Sequence, residues 1–194
     1  MEQNKTKIAS KTTSSKTRTT SSKTREEKIA PTPINEEKAT SPEVDDIILQ
    51  AEKYYSGAGV KKDIKKSLDL FRKAAQNGSG YACKRLGLEY SDFALDDLTP
   101  RNNKVAREWF EKGSKLGDAE STFYLSQFVF EGWGGEKDEK KATELLISAA
   151  HAKSKSAAHR VIKLSKKGNI KISDEDKRNF YALDKEFGDN ARRK

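Results

Sequence analysis

The sequence predicts an all-α fold, a solenoid of antiparallel helix pairs, and three observations predict it. The stretch Tyr54–Gly78 returns in the same layout at Val129–Lys153, with a degraded copy between them at Tyr90–Gly117. Measured between helix-ending positions, Gly78 to Gly117 is 39 residues and Gly117 to Lys153 is 36, a period that marks stacked helical repeats. Within each copy the apolar residues fall three and four apart, which gives each helix one stripe to bury.

The chain divides into three parts. Residues 1–40 are expected to form a disordered tail and linker, 41–169 the solenoid of about three repeats and a partial fourth, and 170–194 a C-terminal capping helix with a basic end. The tail contains a direct duplication, Thr12–Arg18 repeated at Thr19–Arg25. It has no apolar side chains there, so burial cannot offset the roughly 1–2 kcal/mol per residue of backbone ordering. Its hydroxyls beside Lys and Arg suit phosphorylation, its cations suit an anionic surface, and it equally suits a soluble spacer.

Order is expected from Ser41-Pro42-Glu43, a helix start with Ser at the N-cap and Pro in the first turn. Val44, Ile47, Ile48, Ala51, Tyr54 and Tyr55 make the first stripe, and Gly57 and Gly59 end it. Asp63 caps a second helix whose stripe is Ile64, Ser67, Leu68, Phe71, Ala74 and Ala75, closed by Gly78. Two helices joined by so short a turn lie antiparallel. Ala82 to Tyr90 and Val105 to Gly113 repeat the pair, and Phe123 to Phe130 and Ala142 to Ala150 repeat it again. Ala157 to Leu164 give a seventh helix. A terminal helix with Asp174, Glu175 and Asp176 in its first turn then covers the open end. Ser67, Ala106 and Ala142 hold one shared position where a small side chain lets helices approach closely.

These units resemble the Sel-1-like repeat, a relative of the tetratricopeptide repeat. The resemblance rests on Tyr54, Gly57, Gly59, Lys62-Asp63, Ser67 to Phe71, Ala74-Ala75 and Gly78. In the third unit it rests on Gly132, Gly134, Lys137-Asp138, Ala142, Leu145-Leu146 and Ala149-Ala150. The second unit keeps Leu86-Gly87, Tyr90 and Gly117 to Glu120 but departs in its inter-helix loop. There Tyr90 to Ala106 spans 16 residues, against 13 from Tyr54 to Ser67 and 13 from Val129 to Ala142. The resemblance covers about residues 45–168. It implies a right-handed solenoid whose concave side binds other proteins, in a family of adaptors, assembly factors, activators and pathogen-delivered effectors.

Charge bounds the partner. The net charge is +9, yet residues 1–25 hold +6 of it and residues 26–44 carry −3. Basicity is therefore mostly a property of the tail. The single cysteine, Cys83, excludes a disulfide framework. The N-terminus has no apolar signal region and no run approaches the ~20 apolar residues of a membrane helix, so a cytoplasmic protein is expected.

No chemistry stands out. His151 and His159 lie eight apart without metal-ligand spacing. Cys83 sits on an apolar stripe, and neither glycine turn has the ending of a phosphate loop. Asp92, Asp96 and Asp97 lack the alternation of a calcium loop. No catalytic residue, metal or cofactor is expected.

Two surface features are candidates for a partner. Aligned units place Lys65, Lys104 and Lys140 at one position and Lys62, Arg101 and Lys137 three residues before them. This is either a solvated face or a positive stripe for an acidic protein or peptide. Trp133, in the glycine turn, either anchors a partner or packs on Phe130. The expected function is a non-catalytic adaptor binding a peptide or protein through Lys65, Arg101, Lys104, Trp133 and Lys140. The alternative is a nucleic-acid-associated protein using the basic tail and the same stripe.

Overall fold

A computed structural model describes residues 41–91 and 101–191, with side chains through residue 185. The expected tail, the Asp92–Asp97 loop and the last three basic residues lie outside the described residues. Within them there are eight helices and no strand. They are α1 (Pro42–Ser56), α2 (Ile64–Gln76), α3 (Gly80–Tyr90), α4 (Asn103–Lys115), α5 (Ala119–Glu131), α6 (Glu139–His151), α7 (Lys155–Lys166) and α8 (Asp174–Ala191). Each helix packs on the next. In addition α3 touches α5 and α5 touches α7, whereas no comparable contact links α2, α4 and α6. The odd-numbered helices therefore line the inside of the curve and the even-numbered ones its outside.

The connections explain the regularity. Asp63, Asn102 and Asp138 cap α2, α4 and α6, accepting from the backbone N–H of Lys66 (2.9 Å), Val105 (3.2 Å) and Lys141 (2.9 Å). Each cap is worth about 1 kcal/mol. The N–H of each capping residue donates back to the preceding helix, to Tyr54 O (2.9 Å), Tyr90 O (2.7 Å) and Val129 O (3.0 Å). The longer loop of the second unit is thus pinned at both ends as in its neighbours.

Between units, one residue serves two helices. Ser79, Asp118 and Ser154 donate their backbone N–H to Ala74 O (3.1 Å), Gly113 O (2.9 Å) and Ala149 O (2.9 Å), closing the even helix. Their side chains accept from Ala82 N (3.1 Å), Ser121 N (2.6 Å) and Ala157 N (3.0 Å), opening the odd one. The residue before each must turn left-handed. Gly78 (φ 89°) and Gly117 (φ 81°) do so freely, but the third is Lys153 (φ 67°), alone among described non-glycine residues in that region.

Ser41 departs from expectation. It precedes α1 with Pro42 in the first turn, but its hydroxyl makes no capping bond. Its carbonyl instead accepts from Val44 N at 2.8 Å. Proline removes one orphan donor, so the side-chain cap has less to satisfy.

The core runs between the two layers. Phe71, Leu86, Phe110, Phe128 and Val129 anchor one apolar cluster through α1–α5 and Ala142. Leu146, Val161, Ile162 and Phe180 anchor a second through α6–α8. Ser67, Ala106 and Ala142 are buried as expected. Ser67 also donates to Ala51 O at 2.8 Å. Between α4 and α5 the approach is close. Gly113 faces Ser121, and a Cβ there would lie 2.7 Å from Ser121 Cβ. The equivalent pairs at the other junctions are Ala74 with Ala82 and Ala149 with Ala157, all at most 1% exposed.

α8 folds back on α7 and buries Phe180. The His151 ring meets that phenyl edge-on at 5.1 Å. His151 Nε2 lies 3.4 Å from Asp176, and His159 Nδ1 lies 2.6 Å from Asp184. Both histidines thus tie α8 to the stack. Among the described residues no helix is long and apolar enough to cross a membrane.

Candidate partner-binding surface

The capping residues fix where the candidate lysines stand. Lys65, Lys104 and Lys140 each lie two residues past a cap, in the first turn of α2, α4 and α6. All three are exposed and have no ion-pair partner among the described residues. A helix N-terminus carries about half a positive charge, so a cation there works against the helix, by roughly 0.3–1 kcal/mol each. Arg101 is exposed at the same edge, just before the cap Asn102.

The units differ in how far that charge is offset. In the first, Lys61, Lys62, Lys65 and Lys66 surround only Asp63. The Lys66 ammonium donates to Tyr54 Oη at 2.6 Å and lies 4.1 Å from the ring centre. In the third, Lys137 pairs with Glu139 at 2.8 Å, and that hydrogen bond holds its pKa above the usual lysine value. The Lys137 ammonium also lies over the exposed Phe130 ring. At the start of α6, part of the positive charge is therefore offset by Glu139.

Trp133 is half-buried, meeting the Phe128 ring edge-on at 5.4 Å and 86°. The sequence leaves Trp133 either anchoring a partner or packing on Phe130; its ring contact is instead with Phe128, two residues earlier, because Phe128 is on the core side of α5 and Phe130 is 39% exposed. The turn carrying Trp133 is locked onto α4. Gly134 backs onto the main chain of Asn103, and Arg107 Nη1 donates to Glu136 O at 3.1 Å. Arg107 Nε in turn donates to Glu111 at 3.2 Å. Any contact Trp133 makes is made by a fixed ring on the same edge as Lys140.

Side chains with chemical potential are occupied elsewhere. Cys83 is fully buried, and burial pushes its thiol up to about 12. Burial likewise lowers the pKa of Lys112 beside it. Among the described residues no three His, Cys, Asp or Glu side chains gather as a metal site.

The inner face holds polar groups that stripe reading passes over. Glu52 of α1 accepts from Tyr81 Oη at 2.8 Å and pairs with Arg85 Nε at 3.0 Å, both on α3. Burial and the Glu52 bond push the Tyr81 hydroxyl up to about 12. Arg85 also stacks over Tyr55 at 4.4 Å. The first two units are thus joined on this side by a charged contact. At the equivalent place the second and third units have Tyr124 stacked on Phe110 at 5.3 Å.

A family model described as Sel1 repeat matches residues 51–79, 80–118 and 119–154. This chain belongs to the Sel1 repeat family. The three Sel1 units end on Ser79, Asp118 and Ser154, the residues shared between helices, and the α7–α8 pair follows the last of them. Among solved structures, the chain is similar to a Sel1 repeat protein from Oxalobacter formigenes. The two are 22% identical with a TM-score of 0.55, covering 62% of this chain and 88% of that one. It is also similar to c5321, a protective antigen of uropathogenic Escherichia coli strains displaying an SLR fold. That match is 22% identical with a TM-score of 0.58, covers 75% of this chain and spans 31% of the antigen. At this identity the likeness is one of fold. No curated protein sequence matches significantly.

Proposed function

We propose that this Sel1 repeat protein is a non-catalytic adaptor, acting in the cytoplasm, that holds an acidic segment of another protein. The contact surface is the edge formed by the N-termini of α2, α4 and α6. Sel1 repeat proteins are generally protein-interaction scaffolds, which supports the class of function. One observation supports the surface: three exposed lysines, unpaired among the described residues, stand at one repeat position where helix electrostatics disfavours a cation. Their positive ends and side chains add together toward an anion. Arg101 extends the row and Trp133 supplies a rigid aromatic contact beside Lys140.

The test is co-precipitation with the full chain, comparing the parent with the triple variant Lys65→Glu, Lys104→Glu, Lys140→Glu. Specific partners should be lost from the variant, while its melting temperature holds or rises, since acids suit those first turns. Partners recovered equally by both proteins would sink the assignment of this edge. Complexes that vanish on nuclease treatment would instead favour nucleic acid as the bridging ligand.

A further inference from the structure

The inner face of α7 carries a second cationic surface, separate from the edge. The shared capping residues set the register between inner helices: Arg85, Tyr124 and Arg160 stand six residues past Ser79, Asp118 and Ser154, and Leu88, Gln127 and Lys163 nine past. On α3 the arginine is neutralised by Glu52. On α7, nothing among the described residues neutralises Arg160 or Lys163. Both are exposed, and neither has a hydrogen bond or ion pair among the described residues.

Each neighbouring element explains why. α7 itself contains no acidic residue. α5, which touches α7, offers uncharged Tyr124 and Gln127 at the matching positions. Its Glu120 lies further along and accepts from Ser154 Oγ at 2.6 Å. Of the α8 aspartates whose side chains are described, Asp174 pairs with Lys177, and Asp176 and Asp184 point to His151 and His159. Glu131, at the far end of α5, matches Lys167 rather than either free cation. Among the described residues, two uncompensated cations therefore sit on the inside of the curve, on the helix that touches the one carrying Tyr124, and a guanidinium recognises a planar anion well.

We propose that Arg160 and Lys163 bind carboxylates of an extended acidic protein segment lying across the inner faces of α5 and α7, with Tyr124 packing against its apolar part. This rests on the protein-binding reading above and adds, on the inner face, a second acid-recognising contact to the one at the edge.

The test uses the full chain and a short fluorescein-labelled polyglutamate peptide with a central phenylalanine, followed by anisotropy. Arg160→Glu with Lys163→Glu should weaken binding about tenfold or more, as expected for removing a pair of complementary charges. Tyr124→Ala should weaken it without changing its salt dependence. Retention of peptide affinity by the Arg160/Lys163 variant, with loss in the Lys65/Lys104/Lys140 variant, overturns this proposal and leaves the edge reading standing. The opposite pattern upholds this proposal and overturns the edge. Undetectable peptide binding overturns both, and a labelled single-stranded oligonucleotide that outcompetes the peptide overturns the commitment to a protein ligand.

Discussion

Gly113→Ala tests how the stack is packed. In an isolated helix the change would stabilise by about 1 kcal/mol. Here the new Cβ would overlap Ser121 Oγ and lie 2.7 Å from Ser121 Cβ and 3.2 Å from Cys83 Cβ. The hydroxyl can turn about χ1, but the two Cβ atoms are fixed by their helices and cannot rotate away, so overpacking should cost about 3 kcal/mol, the upper end of its usual span. The net loss is about 2 kcal/mol. Ser121→Ala alone should change little: it opens a small void but removes a buried hydroxyl that has no hydrogen-bond partner. Combined, the two changes create the Ala–Ala pair that the other junctions use. The worst overlap disappears, the helices separate slightly, and stability should return close to the parent. Urea unfolding of all four proteins, followed by circular dichroism, gives the coupling directly, expected at about 1.5–2 kcal/mol. Additive effects, or a Gly113→Ala variant as stable as the parent, would refute the idea that this junction is set by a Gly–Ser exchange.

Lys153→Gly should stabilise by about 0.5–1 kcal/mol, because the left-handed turn costs a lysine about 1–2 kcal/mol and glycine returns part of that as chain entropy. A melting temperature raised by about 1–4 °C would show it. Gly78→Pro should cost more than about 3 kcal/mol, since φ is 89° and the N–H bonds to Ala75 O. Lys65→Glu should by contrast gain a few tenths of a kcal/mol; equal melting shifts for these two would contradict the repeat geometry. Cys83 should resist thiol reagents at pH 8 until the protein unfolds. Its folded pKa lies above that of the free thiol, so its contribution is complete below about pH 8.5 and is lost as pH rises toward 12. The loss is about 1.4 kcal/mol per pH unit. Cys83→Ala should remove that part of the alkaline decline, which denaturant midpoints between pH 8 and 10.5 would reveal.

The helices were legible because each carries its own signals. Asp63 and Asp138 read as caps, Gly78 and Gly117 as stops, and Leu68 with Phe71 as a buried stripe, all from neighbours within one turn. Lys153 was legible only as a ruler mark, since nothing in a lysine announces a left-handed turn; the repeat places it there. The positions of Lys65, Lys104 and Lys140 followed from alignment, but their conflict with the helix ends needed the caps to be located. Less could be read across the stack. That Trp133 meets Phe128 depends on which side of α5 faces the core. The exchange of Ala–Ala for Gly113–Ser121 involves residues eight apart on different helices, each unremarkable alone. Arg160 and Lys163 carry no signal in the sequence, because their lack of partners among the described residues depends on what α5 and α8 present to them.

Ser79, Asp118 and Ser154 each complete one helix and begin the next. A unit excised from Asp118 to Lys153 therefore takes with it one complete start signal and leaves one behind at Ser154, so both cut ends still match. Lengthening by whole units preserves every junction bond, whereas gaining or losing a few residues at that point breaks two helices at once. Length variation is instead absorbed between Tyr90 and Asn102, where both anchors hold whatever lies between them. The same hydrogen bonds that join the units thus fix where the chain can be lengthened without breaking a helix.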